Sequence, residues 1–194
     1  MSKQLNFVTT NHGKVSTLQN KLGDKFHINQ IKLDITEPQA DSVEEIVKIK
    51  ASSAFDLVGQ TVIVHDTGFI VPSLNNFPGP YIKYILETVG IEGILKLMDK
   101  VEVRDCYFVG SISVHDGEQQ KVFSNTGNVC QLATEIKGSL PENAWSPLWQ
   151  IVIPSWSNGL TYAEVGQEKM SNREKSVKGK SEIDQLVDYL KSIE

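Results

Sequence analysis

The sequence predicts an α/β domain. Short apolar or β-branched runs alternate along the chain with segments of helical periodicity, and turn residues separate them without repeats or low-complexity linkers. Leu5–Val8 is a first strand running into Thr9-Thr10-Asn11-His12-Gly13-Lys14. Residues 13–22 suit a short helix closed near Gly23, and Phe26–Leu33 alternates well enough for a second strand. A helix from Asp41 to Val58 follows, with Ser42 and Glu45 spaced as a capping box. Thr61–Val64 is a β-branched strand that ends at His65-Asp66-Thr67-Gly68. Pro80, at a first helical position, begins a helical region that extends to Asp99 and is interrupted at Gly90. Between Asp105 and Thr134 two extended runs flank Asp116-Gly117, a hairpin signal. The last element is an amphipathic helix over 181–193, with Ile183, Leu186, Val187 and Leu190 on one face.

Composition bounds the function. With 194 residues, 40% of them hydrophobic, the chain can bury a core and is expected to be one domain over residues 1–194. No apolar run reaches membrane-spanning length, and the start, Met-Ser-Lys-Gln-Leu-Asn, has no long apolar stretch of a secretory signal, so a cytoplasmic protein is expected. Cys106 and Cys130 show neither CxxC spacing nor a paired histidine, and read as reduced thiols. A net charge of −5 argues against a general nucleic-acid surface, because backbone binding relies on clustered positive charge. An anionic ligand must therefore meet a local group of lysines.

Four places are candidates for such a site. The Thr9–Lys14 turn has the donors of a phosphate cradle, from Thr9, Thr10, Asn11, the backbone and Lys14, yet the same residues also cap helices. Asp66 is either a carboxylate presented at a strand edge or a turn-forming aspartate. His65 next to it points to the opposite face of a regular strand, so it reads as structural and not as a proton relay. Lys50 falls on the apolar face formed by Val43, Ile46, Val47, Ala51, Ala54, Phe55 and Val58, where it either snorkels to solvent or reaches an anion. Lys83 puts a cation in the first turn of a helix, where the dipole disfavours it unless an anion lies nearby. A polyphosphate ligand accounts for both misplaced lysines.

In this order the motifs resemble the inosine triphosphate pyrophosphatases, which hydrolyse non-standard purine nucleoside triphosphates. Phe7-Val8-Thr9-Thr10-Asn11-His12-Gly13-Lys14 is similar to that family's triphosphate loop, and Leu33-Asp34-Ile35-Thr36-Glu37-Pro38-Gln39 to its segment with a metal-binding glutamate. Ile46–Lys50 resembles its helical lysine segment, and Val64-His65-Asp66-Thr67-Gly68 its acidic-Asp-Ser/Thr-Gly motif. Phe77-Pro78-Gly79-Pro80-Tyr81-Ile82-Lys83 is the most specific match, and Leu160-Thr161-Tyr162-Ala163-Glu164 resembles a late segment. The likeness runs from about residue 5 to 190, and it implies a bent mixed central sheet flanked by helices, two lobes with the active-site cleft between them, and a homodimer.

The resemblance implies Mg²⁺, with Mn²⁺ an alternative, held by Glu37 and Asp66. Lys14, Lys50 and Lys83 would neutralise a triphosphate, with Thr9, Thr10, Asn11 and Thr67 around it, and Asp66 would act catalytically on the water that attacks the α-phosphorus. On the base side, Trp145, Ser146, Lys169 and Lys178 are the implied substrate contacts. That side departs from the family. Asn143-Ala144-Trp145-Ser146-Pro147 stands where the family has Phe-Gly-Trp/Tyr-Asp-Pro, and the family's Ser-His-Arg aligns with Arg173-Glu174-Lys175 or Ser176-Val177-Lys178. A lysine lacks the planar fork of arginine. Trp145 either stacks on a base or packs like Trp149 and Trp156 in a core or interface. His65 replaces the first acidic residue of the catalytic motif. Gly179-Lys180-Ser181 mimics the end of a P-loop but has no preceding strand, so it reads as a helix start. Two alternatives stay open: a catalytically weakened nucleotide-binding relative, and an unrelated phosphatase that would release orthophosphate.

Overall fold

The structure, a computed structural model, describes residues 3–142, 144–165 and 181–193. Its eight strands are β1 (Lys3–Val8), β2 (Phe26–Ile31), β3 (Val62–Ile70), β4 (Pro78–Gly79), β5 (Asp105–His115), β6 (Gln120–Thr126), β7 (Cys130–Leu132) and β8 (Val152–Pro154). The helices are α1 (His12–Leu22), α2 (Val43–Val58), α3 (Ile82–Thr88), α4 (Gly90–Leu97), α5 (Tyr162–Val165) and α6 (Glu182–Ser192). Hydrogen bonding orders the strands β2-β1-β3-β5-β7-β8, with β4 on β3 and β6 on β5. The sheet is mixed: β1 pairs parallel with β2 and β3, whereas β5–β7 and β7–β8 are antiparallel. No helix among the described residues is long and apolar enough to cross a membrane.

The chain divides into two compact units. The described residues of 1–67, 109–125 and 180–194 form the first, and those of 68–108 and 126–179 the second. In the first, Phe7, Leu18, Leu22, Ile63, Ile112 and the inner face of α6 make one buried cluster, and Val8, Ala51, Ala54, Val62 and Val64 make another. Full burial of each of these larger apolar side chains stabilises by about 1.5–3 kcal/mol, which is why α6 presents Ile183, Leu186, Val187 and Leu190 inward as its periodicity requires. Ser181 caps α6 in a box with Asp184, so the Gly179-Lys180-Ser181 segment ends in a helix start. In the second unit, Phe69, Ile94, Met98, Leu148 and Ile151 are fully buried. Arg104 there donates to the carbonyl oxygens of Leu132, Met98 and Ala133 at 2.7–2.9 Å.

Local chemistry sets most boundaries. The side chain of Asn11 accepts from Lys14 N to open α1, Ser42 accepts from Glu45 N to open α2, and Gly59 closes α2 at φ 66°. Gly90, at φ 67°, separates α3 from α4 where the sequence shows an interruption. Two expectations are corrected. β3 does not end at Val64 but continues through Asp66 to Ile70, because fully buried Phe69 and its neighbour Ile70 extend it by pairing with Gly79 and Pro78. The helix after Pro80 begins at Ile82, since Pro78 and Gly79 belong to β4 and a turn closes between Tyr81 N and Pro78 O at 3.2 Å.

Candidate active site

The site is assembled within the first unit from β1, β3, α1, α2 and the segment that follows β2. Thr9 N donates to Ile31 O at 3.0 Å and Gln30 Nε2 donates to Thr9 O at 2.9 Å, fixing the start of the Thr9–Lys14 turn to β2. Thr9 Oγ1 accepts from Asn11 N at 3.1 Å, while Thr10, Asn11 and Gly13 remain exposed. The turn therefore caps its helix and also presents Lys14, whose Nζ donates to His65 O at 2.9 Å and stands 3.9 Å from Asp66 Oδ1. The two sequence interpretations of this turn are compatible.

Lys50 resolves its misplacement on the apolar face of α2 by ion pairing. Its Nζ donates to Asp66 Oδ2 at 3.0 Å and to Glu37 Oε1 at 2.7 Å, with only 20% of the side chain exposed. Thr67 N donates to Asp66 Oδ1 at 2.9 Å. Two ammonium groups and two carboxylates thus alternate in the order Lys14, Asp66, Lys50, Glu37. Burial opposes ionisation of Asp66, but the charges of Lys14 and Lys50, the Lys50 hydrogen bond and Thr67 N together hold its carboxyl below the usual aspartate range. Burial likewise opposes the charge on Lys50, and Asp66 and Glu37 outweigh it, raising its pKa. For Lys14 burial wins over the attraction of Asp66, and its pKa is lowered.

His65 and Asp66 meet different partners, as alternation along a strand requires. The His65 ring is shielded and its Nε2 lies 3.1 Å from Glu182 Oε1 at the start of α6. Burial lowers the His65 pKa against the pull of Glu182, and the hydrogen bond to His65 lowers that of Glu182 against burial. An ionised carboxylate only accepts, so Nε2 carries the proton. Glu182 was not legible as a site residue in the sequence, where an acidic residue at the start of a helix is ordinary dipole matching. The one signal that could have led to it is His65, a basic residue in an acidic position that needs a partner once buried.

A pH dependence follows. The folded His65 resists a proton that the unfolded chain accepts near its ordinary value of about 6.5, so stability declines as pH falls through that value. Asp66 and Glu182 add further losses below their reference values of 3.8 and 4.5. Thermal melts are expected to show Tm falling progressively from pH 7 to pH 4; a flat profile contradicts this assignment.

The structure brings Thr9, Thr10, Asn11, Lys14, Glu37, Lys50, Asp66 and Thr67 into the first unit; Lys83, Trp145 and Ser146 belong to the second. Lys83 is exposed in the first turn of α3, and that turn carries no acidic residue. Trp145 is 58% exposed and meets Phe108 and Trp149 edge-on, at centroid distances of 5.2 and 6.0 Å, whereas Trp149 is buried. Ser146 is buried, and its Oγ accepts from Leu148 N at 3.2 Å, capping a short 3₁₀ turn. Lys169 and Lys178 lie outside the described residues.

The chain is 34% identical over 164 residues to a dITP/XTP pyrophosphatase of Korarchaeum cryptofilum, covering 84% of this chain and 85% of the relative. It is 30% identical over 177 residues to an inosine triphosphate pyrophosphatase of Aspergillus fumigatus, covering 90% of each. Among solved structures, the Ham1 protein of Staphylococcus aureus superposes with a TM-score of 0.79 at 23% identity, covering 99% of this chain and 100% of that one. A HAM1 protein from Coxiella burnetii gives a TM-score of 0.79 at 20% identity, over 98% of this chain and 99% of that one. The sequence profile of the Ham1 family matches residues 5–182, and the chain belongs to that family.

Proposed function

We propose that the chain is a divalent-metal-dependent pyrophosphatase that hydrolyses non-standard purine nucleoside triphosphates to nucleoside monophosphate and pyrophosphate. The observation that carries this is the alternating cluster in which Lys50 joins Glu37 to Asp66 and Lys14 flanks Asp66. The names of relatives at 30–34% identity support the same substrate class. Two carboxylates are a donor set suited to Mg²⁺, which is commonly held by one or two carboxylates together with substrate phosphates. No group of three or more acidic, histidine or cysteine side chains that could hold a metal ion occurs among the described residues. When bound, Mg²⁺ or Mn²⁺ would polarise phosphoryl oxygens and screen the charge developing on the leaving pyrophosphate.

The chain's own residues have separable tasks. Lys14, Lys50 and Lys83 supply positive charge to the phosphates, and Thr9, Thr10, Asn11 and Thr67 line the approach. A carboxyl held below its usual pKa is a weak proton acceptor, so Asp66 serves by orienting the attacking water and as a ligand, with Glu37 as its partner. Trp145, which is 58% exposed, is assigned to the base; Lys169 and Lys178 are further candidates for that role, whereas Ser146 is buried with its hydroxyl engaged in capping a 3₁₀ turn. The single catalytic domain, the homodimer and a cytoplasmic setting belong to this proposal.

The test is product release from inosine, xanthosine, guanosine, uridine and thymidine triphosphates with Mg²⁺. Pyrophosphate is expected, fastest with inosine or xanthosine. Orthophosphate as product identifies the unrelated phosphatase, and nucleotide binding without turnover identifies the weakened relative. Nucleotide quenching of tryptophan fluorescence is expected to lose amplitude in Trp145→Phe, because Trp149 is buried; an unchanged amplitude removes Trp145 from the base.

A further inference from the structure

We propose that the first turn of α6 is a brace that positions both Lys14 and Asp66, with Glu182 as the principal positioning residue. This rests on the pyrophosphatase assignment for its kinetic readouts but not for its structural one. Glu182 and His65 have side chains only 11% and 8% exposed, and their 3.1 Å contact ties α6 to β3 at the residue preceding Asp66. The main chain of the same histidine receives Lys14 Nζ at 2.9 Å. His65 thus hands the placement of one residue to both partners of the Lys14–Asp66 pair.

A second tie reaches the helix that carries Lys14. Asp184, held in the capping box by Ser181 Oγ at 2.8 Å, accepts from Lys21 Nζ of α1 at 2.5 Å. Apolar packing of Leu18 and Leu22 in one cluster with Ile183 and Leu186 joins the same two helices. The space around Glu182 is also restricted. A Cβ added to Gly110 of β5 would stand 2.6 Å from the Glu182 carboxyl carbon, so a side chain there would displace the carboxylate from His65. Glycine at 110 leaves Glu182 the position from which it reaches the ring.

The brace residues act through His65 and α1. Loss of a fraction of an ångström in the placement of reacting groups lowers turnover steeply, whereas loss of general stability lowers only the amount of active enzyme, so kcat is compared per folded molecule and against rescue by the conservative variant. Glu182→Ala removes the acceptor for His65 Nε2, and Glu182→Gln keeps an oxygen acceptor of the same reach. Glu182→Ala is expected to lower kcat at least tenfold at a temperature where circular dichroism shows it folded, and Glu182→Gln to recover most of that loss. Lys21→Ala, at an exposed pair, is expected to lower kcat/KM by about two- to threefold. Should Glu182→Ala not fold, Glu182→Leu fills its space without a carboxylate and carries the same expectation.

A folded Glu182→Ala or Glu182→Leu with kcat within twofold of the parent overturns the brace, provided Asp66→Asn is inactive in the same assay. If the parent protein turns over none of the nucleotides, the pyrophosphatase assignment falls first, and the crystal structure of Glu182→Ala decides the brace by itself. Departure of Lys14 Nζ from the His65 carbonyl oxygen supports it, and retention of that bond overturns it.

Discussion

Asp66→Asn is expected to abolish Mg²⁺-dependent pyrophosphate release, by a factor of about 10³ or more, while leaving the fold intact. The carboxylate is the centre of the charge arrangement, accepting from Lys50 and Thr67 N and lying within reach of Lys14. The amide is isosteric, but it is uncharged and replaces one acceptor oxygen by a donor, so it opposes one of these donors and cannot act as an anionic ligand. The loss should appear in kcat, with nucleotide affinity in the absence of metal little reduced or even improved, because a negative charge facing the phosphates has gone. Near-full activity of this variant would sink the pyrophosphatase assignment.

Lys50→Ala is the second large effect, expected at about 10²–10³-fold in kcat/KM, the size associated with removal of one preorganised charge-stabilising donor. Its ammonium lies between Glu37 and Asp66, so truncation leaves two carboxylates with Lys14 as the nearer cation to one of them. Two consequences are separable. Phosphate binding weakens through the lost positive charge, and the Asp66 carboxyl becomes easier to protonate, shifting the acid limb of the rate profile to higher pH. Lys50→Arg keeps the charge but replaces a compact ammonium by a planar fork, and only partial recovery is expected. An unchanged acid limb in Lys50→Ala would contradict the pairing seen here.

Much of this arrangement was legible because each feature had a local cause. Ser42, Gly90 and Ser181 mark helix limits through capping and backbone geometry that depend on a few neighbouring residues. Lys50 stood out because charge interrupted an apolar stripe, and what it meets in the structure is two carboxylates, Glu37 and Asp66, where the sequence offered solvent or an anionic ligand. The end of β3 was misjudged for the opposite reason. Asp66-Thr67-Gly68 has turn composition, but pairing of Phe69 and Ile70 with β4 is a tertiary effect that overrides it. Glu182 was invisible for a related reason: its partner lies 117 positions earlier, and nothing near it in the chain distinguishes it from any helix-opening glutamate.

The distance between those partners has a consequence for how the protein is made. The first unit draws on three separated stretches of chain, and the pair between Lys21 and Asp184 closes over 163 positions. Contacts of such long range make folding slow relative to helical proteins of similar stability, because the entropy of closing the loop is lost before the contact forms. During synthesis from the N-terminus, β1, α1 and β3 emerge with an apolar surface whose cover is completed by Ile183, Leu186, Val187 and Leu190 of α6. The cluster around Asp66 is thus translated early and braced late, and nascent chains that stop before α6 expose Phe7, Leu18 and Ile63 to aggregation.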